Sequence, residues 1–529
     1  MKLERSSGIL VHPTSFPSRF GIGDFGIGAF KFIDFLHESK QKLWQVLPLG
    51  PTSFGDSPYQ SFSTFAGNAL LISPDTLVQQ GYLSEQDLSD VPDFEPTRVD
   101  YGNVINYKDT LYKKAFQRFR TSSTSETKKS FSKFCEENKE WLIDYTLFIA
   151  IKEYFISERK SSGYSSEYNK YKKNNEKFMS ESSINDNFFG AVWNTWPIDL
   201  KNRDKRAINA ISQKLSEHIE YHKFLQYEFC RQWNEVKSYA NERDIQIIGD
   251  IPIFVPIDSA DVWANPKLFQ LNNFGNPKAV AGVPPDYFSE TGQLWGNPLY
   301  DWDENKKTNY EWWIKRIKGT LSLVDIVRID HFRGFDEYWS VPFGDTTAVN
   351  GKWCAGPRFD LFEAVKKALG DLPIIAEDLG LMTDGVIELR DGLGLPGMKI
   401  LQFAFDESEE NDYLPHNMDN VNCVTYTGTH DNDTTIGWYS KADEQSKDHF
   451  RRYLSVSGED CAWDLIRLAF SSVARYAIIP IQDIMNLDGN YRMNTPGIGS
   501  GCWQFRYTEE MLTEDAKEGI LYLTKLFDR

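Results

Sequence analysis

Val324-Asp325-Ile326-Val327-Arg328-Ile329-Asp330-His331-Phe332-Arg333-Gly334 is the stretch whose reading decides the fold. Val324, Ile326, Val327 and Ile329 supply the β-branched residues of a strand covered on both faces. The strand then ends abruptly in charge. Arg328 and Asp330, two apart, share one side because side chains along a strand repeat every second residue. Gly334 lets the chain turn. A structural ion pair capping the strand is one account, since ion-pair networks also gather charge. A functional site is the other, and it gains weight because the pattern recurs.

Toward the N-terminus, residues 245–255 (IQIIGDIPIFV) are β-rich and carry Asp250, while residues 43–49 (LWQVLPL) and 7–13 (SGILVHP) read as two earlier strands. Toward the C-terminus, residues 372–380 (LPIIAEDLG) end in two acids and a glycine. Residues 398–405 (MKILQFAF), 423–431 (CVTYTGTHD) and 477–484 (AIIPIQDI) complete a set of eight. Helical patterns at 28–39, 308–321, 359–369, 384–393 and 463–476 separate most of them. Eight such units predict an α/β fold, a (β/α)8 TIM barrel, whose ordinary size is ~250 residues. A doubly wound open sheet needs a Gly-rich phosphate loop after its first strand, and none is there.

At 529 residues the chain is long for one barrel, and the surplus is localised. Residues 1–75 begin the barrel, 76–215 read as an inserted, mainly helical subdomain, and 216–529 return to the barrel with long active-site loops such as 258–302. The polar runs at 121–133 and 161–177 read as solvated faces. Residues 141–155 (WLIDYTLFIAIKEYF) make a helix packed on the main body.

A net charge of −18 argues against a nucleic-acid or anionic-membrane partner and suits a neutral ligand. No run approaches the ~20 apolar residues of a membrane span, and MKLERSSGILVHP lacks the apolar core of a signal peptide. Cysteines 135, 230, 354, 423, 461 and 502 form no CxxC pair, which predicts free thiols in a cytoplasmic protein. No HExxH or other close His pair occurs, so no dedicated transition-metal site is expected.

In a barrel, Asp330, Glu377 and Asp431 fall at the ends of strands four, five and seven and converge on one mouth. Two converging carboxylates suffice for retaining glycoside chemistry if they stand ~5–5.5 Å apart. The acid among them needs a pKa raised by a partly dry pocket. Arg328, beside the nucleophile, is expected to keep Asp330 ionised, and His430 to hold sugar hydroxyls. Three such acids could equally bind Mg²⁺. Tyr59, Tyr287, Phe288, Trp295 and Trp438 suit the flat faces of pyranose rings. The loop at 55–68 (GDSPYQSFSTFAGN) is either a sugar platform or an ordered loop packed on the core.

VRIDHFRGF, IIAEDLG and TGTHDNDTTIGW together resemble the catalytic motifs of the 4-α-glucanotransferases, the amylomaltase or disproportionating-enzyme family (glycoside hydrolase family 77). SGILVHPTSFPSRFGIGDFG, LPLGPTSFGDSPYQSFSTFAGN, GDIPIFV, AGVPPDYFSETGQLWGNPLYDW and RMNTPG extend the resemblance over nearly the whole chain. It implies Asp330 as nucleophile, Glu377 as general acid/base and Asp431 as transition-state stabiliser, supported by Arg328 and His430. It further implies Ser57, Tyr59, Asp250, Gln293, Trp295 and Asn494 as sugar contacts, with Tyr287 and Phe288 in a loop over the acceptor side. No metal or cofactor is implied. The implied partners are maltooligosaccharides and other 1,4-α-glucans, with glucose or glucan as acceptor, and neither nucleic acid nor membrane. One departure stands out: Cys502-Trp503 replaces the family's Asn-Trp after RMNTPG. An α-glucan hydrolase sharing the same acids, and a glucan-binding protein with a vestigial site, are the alternatives.

Overall fold

The computed structural model describes residues 5–162, 190–285, 289–380, 382–406, 411–418 and 420–529. Eight short, apolar strands run at Ser6–Leu10, Leu43–Gln45, Gln246–Pro252, Ile326–Asp330, Ile374–Ala376, Gly397–Ile400, Cys423–Tyr426 and Tyr476–Pro480. They lie where the sequence places them. Parallel pairing joins each to the next from the first to the fifth and from the sixth to the eighth, and the eighth returns to the first.

Between strands five and six the closure is thinner. One backbone bond, Ala376 N–H to Pro396 O at 2.9 Å, crosses there. The Asp378 carboxylate adds a second tie by accepting from Met398 N–H at 2.7 Å. This close approach requires Gly397, because a Cβ there would meet Asp378 Oδ2 at 2.2 Å.

Strand eight stops at Pro480, and Ile481–Ile484 form a helical turn instead of continuing it. A proline has no N–H to carry the ladder on. The preceding helix is Cys461–Ser471 and ends before Tyr476, which opens the strand. A larger difference is a second sheet. Ala279–Val283, Gln293–Pro298, Glu337–Pro342 and Lys352–Ala355 form a four-stranded antiparallel sheet beside the mouth, the first two within the stretch 258–302 expected to be loop.

The long helix Ser216–Asn241 buries Phe224, Phe229 and Trp233, and Tyr101–Ser122, Ser125–Glu137 and Lys139–Ser162 pack on it. Lys139–Ser162 contributes Leu142, Tyr145, Phe148 and Ile151 to the core. Ser125–Glu137, which carries most of the first polar run, buries no residue, as a solvated helix should. The run at 161–177 lies almost wholly outside the described residues.

These helices brace the loop after strand two. Gln226 grips the Gly67 backbone, its Oε1 accepting from N–H at 2.7 Å and its Nε2 donating to the carbonyl at 2.9 Å. Lys108 Nζ donates to the Leu70 and Ile72 carbonyls and pairs with buried Asp24 at 3.3 Å. No helix among the described residues is long and apolar enough to cross a membrane.

Candidate active site

Register sets the first half of the site. Asp250 and Arg328 are paired across strands three and four, so both side chains leave the sheet on the same side. Arg328 Nη1 donates to Asp250 Oδ2 at 2.6 Å and to Asp330 Oδ1 at 3.2 Å. The Tyr59 hydroxyl donates to the same Asp250 oxygen at 2.8 Å. Arg328 and Asp250 are buried, whereas the Asp330 side chain stays 27% exposed at the barrel mouth. The guanidinium thus neutralises a carboxylate that would otherwise be costly to bury, and leaves the second acid open to a ligand.

A backbone reversal builds the second half. His331 takes left-handed dihedrals, φ 53° and ψ 49°, immediately after Asp330. Non-glycine residues adopt this conformation rarely, and here it aims the His331 N–H at Glu377 Oε2, 2.6 Å away. Leu379 N–H donates to the other oxygen at 2.9 Å. The strand ends are locked together by Glu377 N–H to Ile329 O and Phe332 N–H to Glu377 O, both 3.0 Å. The His331 ring meets Trp295 edge-on at 4.8 Å. Trp295 Nε1 in turn donates to Gln293 Oε1 at 3.2 Å. The second sheet therefore carries Gln293 and Trp295 to the end of strand four.

Asp431 follows strand seven. Asn494 Nδ2 donates to its Oδ1 at 2.6 Å, and His430 Nε2 lies 3.4 Å from its Oδ2. Arg492 donates to the backbone carbonyls of Asp431 and Asn494. The Tyr59 ring stacks on His430 at 5.1 Å, and Trp503 packs against both. Cys502 accepts from Thr495 N–H through its sulfur at 3.4 Å, so the departing residue ties its own loop together.

Electrostatics separates the three acids. Burial pushes Asp330 up to about 7, against the pull of Arg328. Burial raises Glu377 too, opposed by Arg328 and by the N–H groups of Leu379 and His331. The two titrate as a coupled pair, both raised by burial. Arg328 pulls Asp330 toward its ionised form, in the sense expected from sequence, while burial pulls the other way. Asp431 behaves oppositely. Burial works to raise it, but the His430 charge and the bonds from His430 and Asn494 hold it well below the usual carboxylate range. His430 is raised in return, Asp431 overcoming the effect of burial.

The structure thus brings together Asp330, Glu377, Asp431, Asp250, Arg328, Tyr59, His430 and Asn494, with Trp295 and Gln293 joined through His331. Ser57 acts within its loop, its Oγ accepting from Tyr59 N–H at 3.2 Å. Tyr287 and Phe288 lie outside the described residues. Trp438 sits half-buried in helix Thr435–Lys441 and packs on Phe405 and Phe450. Sequence reasoning passed over the roles of His331, Arg492 and Trp503. His331 was adjacent to the proposed nucleophile, but its contribution is made by its backbone N–H, which no residue type announces.

A parallel barrel whose strand ends gather three acids, a guanidinium between two carboxylates and a wall of aromatic rings defines an enzyme of carbohydrate-bond chemistry. Comparison with known proteins narrows this class. The sequence profile described as 4-alpha-glucanotransferase matches residues 11–513. The 4-alpha-glucanotransferase of Synechocystis is 48% identical over 529 residues, covering 99% of this chain and 98% of that one. That of Thermus thermophilus is 45% identical over 513 residues, covering 96% and 95%. The amylomaltase from Streptococcus agalactiae, solved in complex with acarbose, superposes with a TM-score of 0.90 at 39% identity, covering 99% of this chain and 100% of that one. The chain belongs to the 4-alpha-glucanotransferases of glycoside hydrolase family 77, the amylomaltases.

Proposed function

We propose that the enzyme moves a segment of a 1,4-α-glucan to the 4-hydroxyl of another glucan or of glucose by double displacement. The observation that carries this is the pairing of an Arg-bonded, cleft-facing Asp330 with Glu377, held against it by the His331 N–H. In the first step Asp330 Oδ attacks the anomeric carbon while Glu377 protonates the departing oxygen, leaving a glycosyl ester on Asp330. In the second, Glu377 takes the proton of the acceptor hydroxyl, which attacks the same carbon and releases Asp330. Asp431, kept anionic by His430 and Asn494, faces the positive charge that develops between these steps. Arg328 supplies the positive charge that the acid cluster needs, so the polar groups present can run the reaction themselves.

Transfer outruns hydrolysis when the acceptor is held in place, since effective molarities of ~10⁵ M or more are open to a well-oriented group. Tyr59 and Trp295 are the described rings placed to hold it. The acarbose complex of the Streptococcus agalactiae relative supports an oligosaccharide in this cleft. Residues 76–215 are assigned as an inserted subdomain that braces the loop bearing Tyr59, a reading supported by Lys108 and by the Tyr112 hydroxyl, which donates to Ile72 O at 2.8 Å. Free thiols at all six cysteines suit the cytoplasm as its place of action.

Incubation with maltotriose alone, followed by mass spectrometry, tests the reading. Longer and shorter maltooligosaccharides at constant total reducing ends establish transfer. Reducing ends rising in step with shortening would identify a hydrolase instead.

A further inference from the structure

His430 presents Nε2 to Asp431, and its other ring nitrogen, Nδ1, is buried without a partner. It lines a cavity at the mouth of strands one, seven and eight together with His12, Ser15, Thr429, Asp433 and Arg492. The polar lining divides sharply. Thr429 Oγ1 donates to Asn432 at 2.9 Å, Asp433 accepts from Thr434 N–H and Lys441, and Arg492 serves two backbone carbonyls. His12 Nδ1, Ser15 Oγ and His430 Nδ1 are the cavity atoms left buried with no partner among the described residues. His12 and Ser15 share one turn, Ser15 N–H donating to His12 O at 2.9 Å. Buried polar atoms are costly to leave unpaired, and three in one cavity call for a common partner.

We propose that these three atoms hold one water molecule, and that His12 is through it a positioning residue for His430. A single water satisfies all three: it accepts from His430 Nδ1–H and donates to His12 Nδ1 and Ser15 Oγ, the three bonds usual for a buried water. Burial, reinforced by the charge on His430, pushes His12 down to about 3, so it stays neutral, and in the tautomer protonated at Nε2 its Nδ1 is an acceptor. The other groups facing His430 are accounted for. Asp431 and Asp250 favour its charged form and Arg328 opposes it, while Tyr59 and Trp503 offer ring faces. None of them provides an acceptor for Nδ1–H. The His12 water does, and it lets His430 keep its second proton and present a charged Nε2–H to Asp431.

The inference rests on the reading of Asp431 and His430 as part of the transferase site, so the test reads His430 without turnover. The protein has eight histidines. With ¹⁵N-labelled histidine, the His430 ring is assigned by its loss in His430→Asn and then titrated by NMR. In His12→Leu its pKa should fall by about one unit, a tenfold loss of the charged form at a fixed pH above both values, with kcat/KM falling alongside. His12→Gln, whose amide can accept, should restore most of both. Ser15→Ala should shift His430 the same way by less. An unchanged His430 titration in His12→Leu overturns the proposal, as do Leu and Gln variants equally impaired with normal titration. Should His12→Leu not fold, Ser15→Ala decides alone: a lowered His430 pKa supports the water, and an unchanged one refutes it.

Discussion

Replacing Arg328 with methionine removes the positive charge from between Asp250 and Asp330 while keeping much of the side-chain volume. Asp250 would retain the Tyr59 hydroxyl, but Asp330 would lose a bond of 3.2 Å and gain no other. A neighbouring opposite charge is worth ~1–3 pKa units to a carboxylate. Asp330, already at about 7 through burial, should therefore rise to roughly 8–10. At pH 7 the ionised nucleophile would fall about 5- to 500-fold, each unit being tenfold once pKa exceeds pH. The assay is kcat/KM for maltotriose disproportionation from pH 5 to 10. The acid limb should move upward and the lost activity should return as pH rises. Stability should also suffer, by about 3–5 kcal/mol, because a buried carboxylate is left uncompensated. Protonation relieves that cost, so the variant should melt higher at pH 5 than at pH 7. A uniform loss of rate with an unmoved acid limb would refute the reasoning and leave Arg328 a packing role.

Glu377→Gln should lower maltotriose transfer by ~10²–10⁴-fold, the usual span for a lost general acid. A maltosyl fluoride donor, whose leaving group needs no proton, should still release fluoride in a burst, and an absent burst would count against the assignment. Asp330→Asn should flatten part of the pH–stability curve. The native carboxyl keeps a proton that the unfolded chain loses near pH 4, so wild-type stability falls as pH rises from about 4 to about 7. Asp431 works in the opposite sense, its contribution being full above its unfolded pKa and lost as pH falls through and below it. Differential melting temperatures across that window measure the difference. Gly397→Ala forces a methyl to within 2.2 Å of Asp378 Oδ2. It should cost ~1–3 kcal/mol by overpacking, read as a lower melting temperature.

All eight barrel strands were legible as short apolar runs, most of them closed by charge, proline or glycine, and the acids at those ends followed from strand polarity alone. Arg328 and Asp250 needed only strand periodicity once their strands were paired. The antiparallel sheet was not legible. Its strands AVAGV and QLWGNP are short, contain glycine and alternate weakly, with Leu294 exposed rather than Trp295. The packing of Trp438 on Phe405 and Phe450 was not legible either, because an aromatic in a loop-like stretch looks the same whether it meets a sugar or a phenylalanine. The hold on Glu377 escaped for a different reason: it comes from the N–H groups of His331 and Leu379, and every residue but proline owns one.

The thin closure between strands five and six gives the barrel a place to open first. Amides at such a boundary exchange with solvent through local openings far below the global unfolding free energy. Glu377 follows the strand on one side of that boundary, while Asp330 sits one strand further in, on a full parallel ladder. Mild heating should therefore draw Glu377 and Asp330, still tied together through strand four, away from Asp431 beyond strand six before the barrel melts. Activity would then fade over a temperature range in which circular dichroism still reports an intact fold, with Met398 and Ala376 among the first barrel amides to lose protection.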